Sequence, residues 1–235
     1  MINQAFDGIA TAKANAEKNL QNARAIFESH LDAVFSQRGE EWAEKSLDQI
    51  WVTQTGSTPR TGDRDNYGDF IPFVKPADFN KDGSIDYNKD GLSQLGYAGA
   101  RKVPAGSVLM VCIGATIGKC GYSIREVTTN QQINAITPSH GFYYKFLYYQ
   151  MLTRRFQGSV MENSAQATLP IINKSKWSSL VMAFPRSIGE QQQIAETLDE
   201  ISVETQTLEA LYQKKITALD DLKKSLLDQA FTGNL

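Results

Sequence analysis

The sequence predicts an α+β fold, in which a mixed, loop-rich domain is flanked by two long helices that form an antiparallel coiled coil. Near both chain ends, apolar residues recur every three or four positions, as in amphipathic helices. Between them, short apolar runs are broken by Gly, Pro, Asn and Asp, which indicates strands and turns. We therefore expect helical segments at residues 1–39 and 187–235 and a mixed domain at residues 40–186.

The first helix is predicted by an apolar stripe that stops before Gly39, a residue typical of helix ends. The stripe comprises Ile9, Ala12, Ala16, Leu20, Ala23, Phe27, Leu31 and Val34. Its last part, SHLDAVFSQR (29–38), resembles SLLDQAFTGN (225–234) near the other chain end. This short repeat suggests that the first helix is the tail of a preceding copy of the same unit.

The mixed domain begins after Gly39 with strand and turn signals. Its predicted strands lie in the runs IWVTQTG (50–56), FIPFVKP (70–76), SVLMVCIG (107–114), AITP (135–138) and SLVMAFP (179–185). Between the last two runs, FYYKFLYYQMLTRRF (142–156) has the spacing of a helix.

The second long helix follows Pro185 and lacks Gly and Pro from Glu190 to Thr232. Its narrow stripe, with spacings of three and four over about five heptads, is typical of a coiled coil. Forty residues at about 1.5 Å each extend roughly 60 Å, which is longer than such a domain is wide. The expected seam comprises Ile194, Leu198, Ile201, Leu208, Tyr212, Leu219, Leu222 and Leu226.

The stretch VCIGATIGKCG (111–121) imitates a phosphate-binding loop but does not match its spacing. Only three residues separate Gly114 from Gly118, and Cys120 stands where Ser or Thr would hold magnesium. We therefore expect a strand, a tight glycine turn and a second strand.

The stretch DFNKDGSIDYNKDG (78–91) imitates a calcium loop. Its twelfth position, which supplies a bidentate Glu in such loops, is Lys89. We expect a turn-rich surface loop without a metal.

Catalytic signals are nearly absent. The two histidines, His30 and His140, are too few for a catalytic triad and, with Cys112 and Cys120, too scattered for a zinc site. No G-x-G-x-x-G follows a strand, so no cofactor is expected. Without an export signal or a long apolar run, the chain is expected to be a cytoplasmic binding protein with reduced cysteines.

The charge distribution suggests what is bound. Residues 99–186 carry ten Lys and Arg residues but only two acids, Glu126 and Glu162, although the whole chain has a net charge of −2. Amide and hydroxyl residues interleave with these cations in TTNQQIN (128–134) and ENSAQATLP (162–170). Cations grip phosphates and amides read base edges, so this mixture favours duplex DNA. A basic face without a partner, and polar loops that only satisfy backbone groups, remain alternatives.

Several stretches together resemble the specificity subunits of type I restriction-modification enzymes, in the order in which that family carries them. They are TGSTPRTGDRDNYGDFIPFVKPADF (55–79), VLMVCIGATIGKCGYS (108–123), TTNQQINAITP (128–138), NSAQATLP (163–170) with Trp177, FPRSIGEQQQIAETLD (184–199) and LKKSLLDQAFTGNL (222–235). The resemblance implies a target-recognition domain that reads half of a split DNA sequence. It also implies spacer helices that bind modification (methyltransferase) subunits and, through them, the restriction subunit.

The chain resembles a half-length subunit, because it carries one recognition domain between the end of one spacer and the whole of another. We expect a homodimer through an antiparallel coiled coil and no catalytic residue of its own. By resemblance, the expected DNA contacts are Arg60, Arg64, Arg101, Lys102, Lys119, Arg154 and Arg155, with Gln166 and Thr168 as base readers. The alternatives are a nucleotide-dependent enzyme, and a coiled-coil scaffold or relic subunit that binds the modification subunit without reading DNA.

Overall fold

The computed structural model describes residues 2–39, 41–139, 141–165 and 169–232. The chain divides into a helical unit, Met1–Ala33 with Thr197–Leu235, and a mixed unit, Val34–Glu196. The helices are α1 (Ile2–Ser36), α2 (Leu47–Ile50), α3 (Gln94–Gly99), α4 (Tyr144–Leu152), α5 (Arg154–Asn163), α6 (Lys174–Ser178) and α7 (Ile188–Phe231). The strands are β1 (Ala43–Ser46), β2 (Val52–Thr55), β3 (Tyr67–Val74), β4 (Gly91–Leu92), β5 (Lys102–Val103), β6 (Ser107–Val111), β7 (Cys120–Ser123), β8 (Val127–Thr129), β9 (Ile133–Thr137) and β10 (Val181–Phe184).

The predicted α+β fold class with two long helices is confirmed. The long helices span Ile2–Ser36 and Ile188–Phe231, where the apolar periodicity predicts helical segments at residues 1–39 and 187–235. The predicted helix at residues 142–156 is divided at Thr153, whose backbone is extended and whose hydroxyl caps α5 by accepting from Phe156 N at 3.3 Å. Within the described ranges, no helix has the length and apolar character required to cross a membrane.

The helical unit pairs α1 with α7 in antiparallel orientation. Two ion pairs establish the direction: Lys13 Nζ lies 2.6 Å from Asp220 Oδ1, and Arg24 Nε lies 3.0 Å from Glu209 Oε2. Moving forward along α1 therefore corresponds to moving backward along α7. The hydrogen bond to Asp220 raises the pKa of Lys13 above its ordinary value.

An apolar cluster fills the space between the two helices. Ala16 and Leu20 of α1 pack with Ile216 of α7, and the half-buried Tyr212 covers this cluster. The small side chain of Ala16 permits a close approach of the helix backbones at this point. The two long helices thus form the antiparallel pair that the predicted fold class specified, and they do so within a single chain.

The mixed unit contains two four-stranded sheets and one two-stranded ribbon. The first sheet has the strand order β2-β9-β6-β7 and is antiparallel throughout. The second has the order β4-β3-β8-β5, with one parallel pair between β3 and β8. The ribbon pairs β1 with β10, which brings the beginning and the end of the mixed unit together.

The main core of the mixed unit is formed by side chains from both four-stranded sheets. β6 is buried along its whole length, which explains its continuous apolar run rather than an alternating pattern. The core cluster comprises Val74, Phe79, Ile85, Val103, Leu109, Val111, Val127, Ile133 and Ala135. This core provides a rigid base for the connecting loops.

Candidate nucleic-acid interface

Hydrogen bonds join four loop-rich segments of the mixed unit into one surface, which we call the loop cluster. The loop cluster comprises residues 56–66, 94–102, 112–119 and 129–132. These segments are far apart in the sequence but follow or precede neighbouring strands of the two sheets. Loops held on a rigid sheet are typical binding surfaces.

The first connection joins residues 56–66 to residues 129–132. Ser57 N donates to Thr129 O at 2.9 Å, and Thr58 Oγ1 donates to Gln131 Oε1. Residue 56 must be glycine, because a Cβ there would lie 2.2 Å from both Thr129 Oγ1 and Asn130 O. The two segments therefore pack backbone against backbone.

The second connection joins residues 56–66 to residues 94–102. Arg101 N donates to Ser57 Oγ at 3.2 Å, and Arg101 Nη1 donates to Thr55 O at 2.8 Å. Asn66 O accepts from Ser93 N at 3.0 Å, immediately before α3 begins. This contact fixes α3 beside the short helical turn Arg64–Asn66.

The amide residues at 130–132 have two different roles. Asn130 Nδ2 donates to Gln132 Oε1 at 2.9 Å, and Gln132 N donates to Asn130 Oδ1 at 3.1 Å. Gln132 Nε2 also donates to Ile113 O at 3.3 Å, which joins this loop to residues 112–119. Asn130 and Gln132 thus shape the loop, whereas the exposed Gln131 faces solvent. The sequence alone did not distinguish the structural roles of Asn130 and Gln132 from the exposed position of Gln131.

Residues 112–119 form the predicted glycine turn between two strands. Gly114 and Gly118 have φ angles of 109° and 87°, which side chains with a Cβ rarely adopt. Gln157 Nε2 of α5 donates to Gly118 O at 2.9 Å, so the turn is fixed from both sides. The glycines therefore serve the backbone conformation, as their spacing predicted.

Both thiols at the base of this turn are buried. Burial raises the pKa of Cys112 to about 12, and burial together with the neighbouring Cys112 raises the pKa of Cys120 even more. A thiol of such high pKa is almost entirely protonated near neutral pH and is a poor nucleophile. The cysteines are core residues here.

Five of the predicted DNA-contacting cations lie in the loop cluster, and four of them are exposed: Arg60, Arg64, Arg101 and Lys102. Arg60 lines a cavity of about 200 Å³ together with Ser57, Thr58, Pro59, Asn66, Leu95, Gly96 and Gly99. Lys102 Nζ lies 4.4 Å from the centre of the Tyr97 ring, so α3 orients this ammonium. The neighbouring Glu126 accepts a hydrogen bond from Tyr97 Oη at 2.6 Å, which raises the pKa of Tyr97.

Lys119, also in the loop cluster, faces the protein. Its ammonium donates to Pro76 O at 3.3 Å and lies 5.9 Å from the centre of the Phe79 ring. The side chain is half-buried, unlike the four cations above. Lys119 is therefore less available to a phosphate than the other cations of the loop cluster.

Arg154 and Arg155 occupy the first turn of α5, outside the loop cluster, and both are exposed. Arg155 Nη2 lies 3.7 Å from Glu44 Oε1 of β1. This carboxylate also accepts a hydrogen bond from Arg38 Nη1. It therefore partly offsets the charges of Arg38 and Arg155. The predicted base readers Gln166 and Thr168 lie outside the described residues.

The predicted seam residues of α7 differ in burial. Leu198 is buried, Leu208 and Leu222 are exposed, and the remaining five, Ile194, Ile201, Tyr212, Leu219 and Leu226, are half-buried. Thr205 and Ile216, two further positions of the same three-and-four spacing, are also buried. Exposed apolar side chains also remain at Ile26, Leu211, Leu227 and Phe231.

In residues 2–39, 41–139, 141–165 and 169–232, no group of three His, Cys, Asp or Glu residues is arranged to hold a metal.

Residues 39–218 match the family model described as "Type I restriction modification DNA specificity domain". Among similar proteins, the HindI specificity subunit of Haemophilus influenzae is 29% identical over 147 residues, which cover 61% of this chain and 32% of that protein. The EcoR124I/EcoR124II specificity subunit of Escherichia coli is 25% identical over 207 residues, which cover 84% of this chain and 50% of that protein. This chain thus spans a third to a half of these relatives.

Solved structures show the same fold. A chain from a study of "complex assembly" and "conformational transition of the type I R-M system" has a TM-score of 0.80 at 17% identity; the match covers 100% of this chain and 58% of that one. The HsdS subunit from Thermoanaerobacter tengcongensis has a TM-score of 0.66 at 16% identity, with coverage of 100% and 57%. Because the family model matches well over half of the sequence, this chain belongs to the family of type I restriction-modification DNA specificity domains.

Proposed function

We propose that this chain is the DNA-reading specificity subunit of a type I restriction-modification complex. Each chain reads one half of an interrupted DNA sequence through its mixed domain. The chain has no catalytic role of its own, because methyl transfer and ATP-driven cleavage belong to partner subunits. In this proposal residues 40–186 are the recognition domain, and residues 1–39 and 187–235 are spacer helices that dock modification subunits.

The loop cluster is the observation that carries this proposal. It combines the exposed cations Arg60, Arg64, Arg101 and Lys102 with the exposed amide of Gln131 on a surface anchored to two sheets. Cations fix a protein on the phosphate backbone, and amides discriminate between base edges in the major groove. A binder that recognised charge alone would not require an amide held by Thr58 among the cations.

The apolar side chains of the helical unit support a homodimer. Leu208, Leu211, Leu222 and Leu227 are exposed on α7 although α1 already covers Ile216. An exposed apolar surface of this kind suits the interface of a two-fold symmetric dimer of helix pairs. Two-fold symmetry places two identical recognition domains on one DNA, so the expected target is an interrupted palindrome.

The proposal is tested by producing the chain together with its modification subunit in cells that lack other DNA methyltransferases. Sequencing of methylated positions in the genome is expected to reveal one interrupted palindromic motif. A matched culture carries the variant Arg60→Ala plus Arg101→Ala, which is expected to lose most of the methylation.

Two results contradict the proposal. Absence of any methylated motif, while the chain still co-purifies with the modification subunit, identifies a scaffold that does not read DNA. An unchanged motif in cells that lack this chain shows that another subunit supplies the specificity. A motif that is not palindromic overturns the homodimer part alone.

A further inference from the structure

Leu95 in the first turn of α3 is 61% exposed, although it is a large apolar residue. We propose that Leu95 determines specificity by contacting the C5-methyl group of a thymine in the major groove. This inference rests on the proposed DNA-reading function. It assigns a role to an apolar residue, which neither charge nor hydrogen-bonding capacity would single out.

The charges around α3 favour DNA as the occupant of this surface. Arg60 lines the same cavity of about 200 Å³ as Leu95, and Arg64 lies in the turn that packs against α3. Arg101 and Lys102 come after Ala100, the residue that caps the C-terminal end of α3. An exposed leucine among four cations is poorly suited to an apolar protein partner, because docking there would desolvate the cations. Duplex DNA offers phosphates to the cations and an apolar group to the leucine.

The backbone of α3 is rigidly held. Ser93 Oγ accepts from Gly96 N at 3.2 Å, which caps the helix, and donates to Asp65 O at 2.5 Å. A Cβ at residue 96 would lie 2.0 Å from Asn66 O, so the glycine lets α3 approach the preceding turn closely. Leu95 therefore projects from a fixed position, as a residue that discriminates between bases requires.

Thymine is the base whose chemistry matches this side chain. In the major groove, its C5-methyl group is the apolar group that distinguishes an A·T pair from the other pairs. Leucine has no hydrogen-bonding group to read the other base edges.

The test uses the full chain and the duplex that it selects from a random pool. Each thymine of one half-site is replaced in turn by deoxyuridine, which removes only the methyl group. Fluorescence anisotropy is expected to show a roughly fourfold loss of affinity at one thymine. This factor corresponds to about the free energy gained by burying one methyl group. Leu95→Ala is expected to lose a similar factor on the thymine duplex and to be insensitive to deoxyuridine at that position.

The matched control is Ile124→Ala, which removes another exposed apolar side chain of the mixed unit, outside the loop cluster. This variant is expected to keep the sensitivity of the wild type to deoxyuridine. The proposal is overturned if Leu95→Ala keeps that sensitivity at every position, or if the selected half-site contains no thymine. If the wild type selects no sequence at all, the proposed function itself fails, and the two failures are thus distinguishable.

Discussion

Lys89 Nζ lies 3.5 Å from Oδ1 of Asp78, a carboxylate that the fold buries. The same ammonium lies 3.7 Å from Asp86 Oδ2 and donates to Ala77 O at 2.9 Å. Lys89 stands at the position where a calcium loop would carry its bidentate Glu. A side chain of the loop itself thus supplies the positive charge that calcium supplies in such loops.

We expect Lys89→Met to lower the free energy of unfolding by about 1 to 2 kcal/mol, because Asp78 would lose its cationic partner while it stays buried. Urea unfolding followed by circular dichroism measures this change. Lys81→Met, which removes an exposed lysine of the same loop, is expected to change stability by less than about 0.5 kcal/mol. Equal losses for the two variants, or a clear rise of the wild-type melting temperature with calcium, would contradict the assigned role of Lys89.

The α1–α7 pair within one chain predicts a strong effect at Ile216. Ile216→Ala is expected to lower the free energy of unfolding by about 2 kcal/mol or more, because it leaves a cavity against Ala16 and Leu20. Val203→Ala removes methyl groups from an exposed position of the same helix, outside the proposed dimer surface, and is expected to change stability little. Similar destabilisation by both variants in urea titrations would argue against the α1–α7 contact.

The proposed homodimer predicts that a charge in the remaining apolar surface of α7 separates the two copies. We expect multi-angle light scattering of the purified wild type to give the mass of two chains at micromolar concentration. Leu208→Asp or Leu219→Asp is expected to give the mass of one chain, because a carboxylate would be buried in an apolar interface. Gln213→Asp adds the same charge at an exposed polar position and should leave the dimer intact. A wild type that is monomeric in this measurement rules out the dimer.

The cations of the loop cluster predict a particular dependence of DNA binding on salt. Each phosphate contact contributes about 0.9 to the slope of log K against log salt concentration. Arg60→Ala plus Arg101→Ala is therefore expected to lower the slope by about two. Arg154→Ala plus Arg155→Ala is expected to lower it by less, because Glu44 lies 3.7 Å from Arg155.

The charge-matched control for the salt titration is Lys223→Ala plus Lys224→Ala, at exposed positions near the end of α7. Its slope is expected to equal that of the wild type. A slope that Arg60→Ala plus Arg101→Ala leaves unchanged would remove these two residues from the interface.

The buried thiols predict chemical inertness of the folded protein. Because the pKa of Cys112 is about 12, and that of Cys120 is also raised, both thiols stay protonated at pH 8. A disulfide reagent is expected to label the native protein only as fast as the protein unfolds, and to label both thiols at once in denaturant. Ala98→Cys, at an exposed position of α3, provides a thiol that should react immediately. Rapid labelling of the native wild type would contradict the burial of these thiols.

Periodicity made the local elements predictable. The apolar spacing of α7 and the two glycines after β6 depend on residues that are neighbours in the sequence. The predicted fold class paired the two long helices, but periodicity did not show which residues meet, since Leu20 and Ile216 lie almost the whole chain apart. An apolar stripe shows that a helix requires a partner but does not identify it.

The sequence predicted which types of residue form the candidate site, but not how these residues are arranged in space. Composition pointed to Arg101 and the family resemblance to Arg60, but only the fold brings Arg101 against Thr55 and Ser57, beside the cavity that Arg60 lines. Burial decided the roles of Asn130 and Gln131, and exposure revealed Leu95. The burial and exposure of these residues depend on tertiary packing, so the local sequence pattern did not predict them.

The close approach of Asn66 O to Gly96 also affects which positions of this protein tolerate substitutions during evolution. The backbone and Ser93 hold α3 in place, so its exposed positions 94, 95 and 98 contribute little to folding. Mutations at these positions are therefore free to accumulate without unfolding the chain. With the DNA-reading role proposed for α3, a point mutation at one of these positions would change the DNA target while the supporting scaffold stays the same.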